Sequence, residues 1–143
     1  MSTTKIIVID DDTAVTDLLA VILRTHGFDV RVTNNSTDGM NLIRDDKFDL
    51  VILDLMMPEM DGWEICKEVR SFSQVPIIVL SALNDPSMVA SVLDAGADDY
   101  LTKPTPSRIL VAHINRLTRR NGNSAVSAAS NVQTGPAKTL PAV

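Results

Sequence analysis

Six polar residues of the chain are of types that together could carry out phosphoryl transfer: the aspartates at positions 10–12, Asp54, Ser81 and Lys103. A carboxylate can act as a nucleophile and form an aspartyl phosphate. Neighbouring carboxylates repel one another unless a cation lies between them, and hard oxygen ligands suit Mg²⁺. The negative charge of a transferring phosphoryl group is stabilised by a metal ion and a lysine ammonium. A hydroxyl can bond a remaining phosphoryl oxygen, so the set is chemically complete if folding brings it together.

Each of these polar residues ends, or directly follows, a short run of strand-forming residues. The central run, "FDLVILD", is apolar and stops at Asp54. Such runs predict buried strands, whereas the alternating "FDVRVT" predicts a half-exposed edge strand. The predicted strands cover residues 5–10, 28–33, 48–54, 75–81 and 98–103.

Amphipathic stretches that follow each strand predict five helices. In the first, Val15, Leu18, Leu19 and Ile22 recur at i, i+3, i+4 and i+7, which is one helix face. Asp12 is expected to cap this helix. The later helices are indicated by three features: Asp61 with Glu64 as a capping box before residues 63–72, Asp85-Pro86 at the start of the fourth helix, and Leu110, Ile114 and Leu117 as the inner face of the last.

The alternation of strands and helices predicts an α/β domain with a parallel sheet covered on both faces. In such a sheet the carboxyl ends of the strands meet at one edge, and ligands bind there at the switch point. The aspartates at 10–12, Asp54, Ser81 and Lys103 are therefore expected to converge at that edge. Asp10-Asp11-Asp12 alone could equally be a solvated acidic turn.

Composition limits the classes of function. The net charge of −5 and the sequence pI of about 4.8 argue against a nucleic-acid surface within this chain. Cys66 is the only cysteine, which fits a reducing, cytoplasmic compartment. No signal peptide or membrane span is predicted. Beyond residue 120 the sequence loses its apolar period, so we expect one globular domain over 4–120 and a flexible tail or linker over 121–143.

Four motifs, "IIVIDDD", "VILDLMMPEMDG", "IIVLSA" and "GADDYLTKP", resemble the receiver domain of two-component response regulators. The resemblance covers residues 4–120 and is strongest to receivers of winged-helix transcription factors. It implies a flavodoxin-like doubly wound (βα)5 fold with sheet order 2-1-3-4-5, and a cis bond between Lys103 and Pro104. It also implies a histidine kinase or phosphotransfer protein as the donor of the phosphoryl group.

The resemblance implies a role for each polar residue at the predicted edge. Asp54 would be the phosphoacceptor, Lys103 the lysine that contacts the phosphoryl group, and Ser81 the switch hydroxyl. Tyr100 would turn inward when Ser81 bonds the phosphoryl group. Mg²⁺ would be held by Asp10, Asp11, Asp54 and the backbone carbonyl of Met56.

Two features depart from the pattern of this subfamily. Met56 and Leu83 are apolar where they flank the phosphoryl pocket, so neither can position an attacking water, and slow self-dephosphorylation is expected. The subfamily dimerises through the fourth helix, fifth strand and fifth helix with salt bridges. Here Asp98, Asp99, Arg119 and Arg120 are present for such bridges, but Val89, Ile109 and His113 stand where charged partners are usual. A homodimer with more apolar contact and a different partner surface both remain open.

Two alternative functions on a similar fold make different demands on the sequence. An aspartate-nucleophile phosphohydrolase would need a second aspartate two residues after the nucleophile, where Met56 stands. A non-phosphorylated interaction module would be expected to lack Asp11, Asp54 or Lys103, and all three are present. The output is either transcription control through an effector domain outside this chain or the protein contacts of a stand-alone regulator.

Overall fold

Strands and helices alternate along the chain. The computed structural model describes residues 3–119 and 142–143, and in them five strands alternate with five α-helices. The elements are β1 (Lys5–Ile9), α1 (Thr13–Thr25), β2 (Asp29–Thr33), α2 (Ser36–Asp45), β3 (Leu50–Leu53), α3 (Gly62–Arg70), β4 (Ile77–Ser81), α4 (Pro86–Asp94), β5 (Asp99–Thr102) and α5 (Ser107–Arg119).

The strands form one parallel sheet in the order β2-β1-β3-β4-β5. The predicted fold class and strand order are therefore confirmed. In the register of the sheet, Ile9 pairs with Leu53 and Ser81 pairs with Thr102. The carboxyl ends of β1, β3, β4 and β5 consequently lie at the same edge of the sheet.

Both faces of the sheet are buried because successive side chains on a strand point to opposite faces. Ile6 and Val8 face a layer made by α1 and α5, whereas Ile7 and Ile9 face the layer of α2, α3 and α4. The strand residues of β1, β3 and β4 are almost wholly buried, which explains why these strands read as continuous apolar runs.

The ends of the helices carry the signals that the sequence predicts. The side chain of Asp12 accepts a hydrogen bond from the Ala14 N–H at the start of α1, and Asp61 accepts one from the Glu64 N–H at the start of α3. Gly27 and Gly96, which follow α1 and α4, have φ of +89° and +126°, a region that glycine enters without strain.

The observed boundaries differ from the predicted ones by one to a few residues. The helix predicted over 63–72 is α3 (Gly62–Arg70), and β4 begins after Pro76, which lacks a backbone donor. The predicted tail or linker, 121–143, lies outside the described residues except for Ala142 and Val143, which pair with residues just before α5.

Candidate functional site

The candidate site is assembled from residues that follow directly on β1, β3 and β5. Backbone hydrogen bonds continue the sheet one residue past the strands: the Asp54 N–H donates to the Ile9 carbonyl at 3.1 Å, and the Lys103 N–H donates to the Ser81 carbonyl at 2.8 Å. The sheet therefore fixes the backbone positions from which the side chains of Asp54 and Lys103 extend.

Three carboxylates meet at this edge. Asp10, Asp11 and Asp54 each offer one oxygen atom, and these atoms lie within 4.8 Å of one another. Asp10 is buried, Asp54 is half-buried and Asp11 is exposed, so the cluster opens to solvent on one side. Three hard oxygen donors at this separation fit a small divalent cation that keeps several of its waters, as Mg²⁺ does.

Lys103 brings the opposite charge into the cluster. Its Nζ donates to Asp10 Oδ2 at 2.9 Å, and the two side chains are 18% and 5% exposed. Asp10 Oδ1 accepts a second hydrogen bond, from the Asp12 N–H at 3.0 Å. The ammonium is thus placed beside the carboxylates, where it can also neutralise charge on a group attached to Asp54.

The surroundings of Asp54 disfavour its negative charge. Burial raises the pKa of its carboxyl above the ordinary value, and the nearby charge of Asp10 raises it further. The Lys103 ammonium, the Leu55 N–H that donates to Asp54 Oδ1 at 2.8 Å, and the Ser81 hydroxyl lower that pKa in part. A cation bound among the carboxylates would relieve the remaining penalty.

Leu83 connects the two predicted switch residues through its own peptide groups. Its N–H donates to Ser81 Oγ at 3.3 Å, and its carbonyl accepts a hydrogen bond from the Tyr100 hydroxyl at 2.5 Å. The Tyr100 ring is half-buried and packs against the apolar cluster below α3 and α4. The side chain that the sequence places on β5 is therefore tied to the loop between β4 and α4.

The helix α4 buries little of its surface against the domain. Val92 is its only buried residue. The Trp63 indole N–H donates to Ser91 Oγ at 2.7 Å, and Arg70 Nε donates to the Gly96 carbonyl just beyond the helix at 3.1 Å. An element with so little buried apolar surface has low local stability and is suited to shift with the state of the site.

Sequence reasoning did not single out Asn34 and Thr16, which support Asp10. Asn34 Nδ2 donates to the Asp10 carbonyl at 2.8 Å and to Thr16 Oγ1 at 2.9 Å. Thr16 is 1% exposed although it is polar. The only signal in the sequence is that Asn34 follows β2, and thus stands at the same edge as the acidic residues.

Asp98 and Asp99, on the face formed by α4, β5 and α5, were expected to be available for salt bridges between two chains. Both are already paired within this chain. Asp99 Oδ2 accepts from Arg116 at 2.6 Å and from His113 Nδ1 at 2.5 Å. Asp98 pairs with Arg70 at 2.8 Å. The reason is that both acids lie within reach of basic residues on neighbouring helices. Arg120 lies outside the described residues.

Apolar residues are exposed on the same face. The side chains of Leu93 and Ile109 are 40% and 44% exposed, and Val89 is half-buried. That this face is more apolar than is usual in the subfamily stays a prediction, and so does a dimer.

The comparisons with known proteins agree with the geometry of the site. The family model of the response regulator receiver domain matches residues 6–115. The chain therefore belongs to the response regulator receiver domain family, as the motifs predicted, and is a signalling domain of two-component systems.

The relatives found in sequence are regulators of transcription. The DNA-binding response regulator MtrA of Mycobacterium tuberculosis is 41% identical over 117 residues, which cover 82% of this chain and 51% of MtrA. The transcriptional regulatory protein AfsQ1 of Streptomyces coelicolor is 38% identical over 126 residues, which cover 88% of this chain and 56% of AfsQ1. The chain thus spans about half the length of the curated relatives it matches.

Solved structures show the same fold. A two-component response regulator from Clostridium difficile has a TM-score of 0.81 at 30% identity, over 85% of this chain and 100% of that one. The response regulator DrrB, a Thermotoga maritima OmpR/PhoB homolog, has a TM-score of 0.76 at 32% identity, over 84% of this chain and 54% of that one. Among the residues that the structure describes, no helix has the length and apolarity needed to cross a membrane.

Proposed function

We propose that Asp54 accepts a phosphoryl group from a phosphohistidine of a histidine kinase or phosphotransfer protein. A carboxylate oxygen of Asp54 would attack the phosphorus, the phosphorus–nitrogen bond to the histidine would break, and the imidazole would leave with the bonding electron pair. The observation that carries this proposal is the grouping of Asp54 with Asp10 and Asp11 within 4.8 Å, beside the ammonium of Lys103.

The acidic residues fit a magnesium ion, and we assign its ligands to Asp10, Asp11, Asp54 and the backbone carbonyl of Met56. When bound, Mg²⁺ supplies positive charge to the phosphoryl oxygens. Lys103 would turn from Asp10 toward the phosphoryl group and hold a second oxygen, and Ser81 Oγ would donate a hydrogen bond to a third. Because Leu83 joins Ser81 to Tyr100, a shift of Ser81 would be passed to the loop before α4.

The output surface in this proposal is the face of α4, β5 and α5. Phosphorylation would shift a two-state equilibrium of this face and so control a homodimer or another protein partner. The names of MtrA and AfsQ1 support transcription control as the output of phosphorylation, through an effector domain that would follow the receiver. Direct contact with nucleic acid is not assigned to this acidic chain.

The receiver in this proposal is a signalling domain and not a turnover enzyme. An aspartate-based phosphohydrolase needs an acid/base residue near the nucleophile, and the residue two positions after Asp54 is Met56, whose exposed side chain cannot transfer a proton. A cytoplasmic location is part of the proposal, since the single cysteine, Cys66, is a buried free thiol, which fits a reducing compartment.

Two measurements test the proposal, each with and without beryllofluoride and Mg²⁺: size-exclusion chromatography with light scattering reports the mass, and the fluorescence of Trp63 reports binding. Beryllofluoride takes the place of the phosphoryl group on the aspartate. We expect the wild type to bind it only with Mg²⁺ and to shift from monomer to dimer, and Asp54→Ala to do neither.

Asp12→Ser provides a matched control, because it removes a neighbouring carboxylate while serine still caps α1. It should respond as the wild type does. Binding that is retained in Asp54→Ala would refute the phosphoacceptor assignment. Mg²⁺-dependent binding without a change in mass would keep that assignment and reject the dimer.

A further inference from the structure

Two residues far along the chain form an isolated antiparallel β-bridge just beyond β5. Ala142 forms a β-bridge with Pro106. The Thr105 N–H donates to the Val143 carbonyl at 2.6 Å, and the Val143 N–H donates to the Thr105 carbonyl at 2.9 Å. Val143 thus hydrogen-bonds both the backbone N–H and the carbonyl of Thr105.

The sequence around Thr105 suits it to be a docking point for an extended segment. It stands between Pro104 and Pro106, neither of which has a backbone N–H, so Thr105 carries the only donor of the three. A residue before proline is restricted to extended conformations, the ones that pair as strands. With residues 142–143 in place Thr105 is 4% exposed, and its backbone N–H and carbonyl both have a partner.

Val143 fills an apolar position beside this docking point. It is 8% exposed and belongs to the apolar cluster that α1 and α5 form with the sheet. Ala142, in contrast, is exposed. A small branched apolar side chain next to a pair of backbone hydrogen bonds is the pattern by which protein edges bind extended peptide segments.

The docking point lies at the edge where the phosphoryl group would be transferred. Thr105 is two residues beyond Lys103, whose ammonium contacts Asp10. A protein that carries a phosphohistidine to Asp54 has to cover this edge, whereas a small phosphodonor reaches the carboxylate without covering it.

We propose that residues 142–143 occupy, within the same chain, the docking point at Thr105, that a protein phosphodonor must displace them to reach Asp54, and that they thereby slow transfer from that donor. The proposal rests on the assignment of Asp54 as the phosphoacceptor. The chain permits the contact: α5 spans 13 residues, roughly 20 Å, and the residues between Arg119 and Ala142 can reach ~70 Å when extended.

A pair of variants of the full chain separates docking from charge. Val143→Asp places a charge at the buried position and should release the segment. Ala142→Asp adds the same charge one residue away, at an exposed position, and should leave the pairing intact. Amide hydrogen exchange of Thr105, followed by NMR, should be faster by tenfold or more in Val143→Asp and unchanged in Ala142→Asp.

The phosphorylation assay uses two donors on the wild type and both variants. One is acetyl phosphate, and the other is the histidine kinase that labels the chain fastest in a phosphotransfer profile of the source organism. We expect Val143→Asp to be labelled several-fold faster than wild type by the kinase, Ala142→Asp to match wild type, and all three to be labelled equally by acetyl phosphate.

Equal rates from the kinase for Val143→Asp and the wild type would overturn the proposal, and so would Thr105 exchange that Val143→Asp leaves unchanged. A gain in Val143→Asp with both donors would also overturn it, because the effect would then lie in the site and not in access. Labelling of Asp54→Ala at the wild-type rate by either donor would instead refute the role of Asp54.

Discussion

Replacement of Lys103 with methionine should lower the free energy of unfolding by about 2–3 kcal/mol, because it leaves a buried carboxylate without its cation. Removing one partner of a fully buried ion pair costs roughly 3–5 kcal/mol. The side chains of Lys103 and Asp10 are 18% and 5% exposed, so solvent screens the pair in part. Asp10 also keeps the hydrogen bond from the Asp12 N–H at 3.0 Å, which reduces the loss further.

Chemical denaturation and thermal unfolding measure this change. We expect the midpoint temperature to fall by roughly 6–12 °C for a domain of this size. Lys67→Met is the matched control, since Lys67 is exposed on α3, and its stability should stay within about 0.5 kcal/mol of the wild type. Added Mg²⁺ should stabilise Lys103→Met more than the wild type, because a divalent cation restores positive charge among the carboxylates.

A double-mutant cycle with Asp10→Asn isolates the contact between the two side chains. If the ion pair is the cause, the double variant should be more stable than the sum of the single changes predicts, by about 1 kcal/mol or more. The reasoning would be refuted if Lys103→Met were as stable as Lys67→Met, or if the two changes were additive within ~0.5 kcal/mol.

Four further predictions concern the same region. At pH 7, Asp54→Asn should be more stable than the wild type, because the raised pKa of Asp54 means that folding disfavours its charge; denaturation at several pH values should show this gain shrink as pH falls through that raised pKa and vanish below the ordinary carboxyl pKa of the unfolded chain. Gly62→Ala should lose about 1–3 kcal/mol and slow acetyl phosphate labelling, because a Cβ there would lie 2.8 Å from the Asp54 carbonyl oxygen, and unchanged labelling would contradict this. The phosphorylated wild type should lose its phosphoryl group slowly, since the apolar side chain of Met56 cannot position water; phosphate release with a half-life of seconds would argue against this, and Met56→Asn should speed it. Ser91→Ala should shift the fluorescence emission of Trp63, the only tryptophan, and speed amide exchange in α4, since the indole N–H loses its acceptor; an unchanged spectrum would mean that the hydrogen bond does not form in solution.

The positions of the acidic residues and of Lys103 could be predicted because they depend only on strand ends. A run of apolar residues that stops at Asp10 or Asp54 marks where a buried parallel strand ends, and parallel strands end at a common edge. Helix faces were predictable for the same reason, since the spacing of Leu110, Ile114 and Leu117 reflects the geometry of the helix and not the identity of what it packs against. The predicted ends of strands and helices were off by one to a few residues. The reason is that the last paired residue of a strand depends on the strand beside it.

The sequence by itself thus determined the family, the order of the elements and the edge at which the polar residues meet. Tertiary structure alone decided the hydrogen bonds between distant residues. Examples are those of Tyr100 with the Leu83 carbonyl, Trp63 with Ser91, and Asp99 with Arg116. The physical reason is that burial follows a local period along the chain, whereas a hydrogen bond between side chains needs two distant residues to be placed within about 3 Å. That placement depends on how the helices pack on the sheet, which no local pattern of residues specifies.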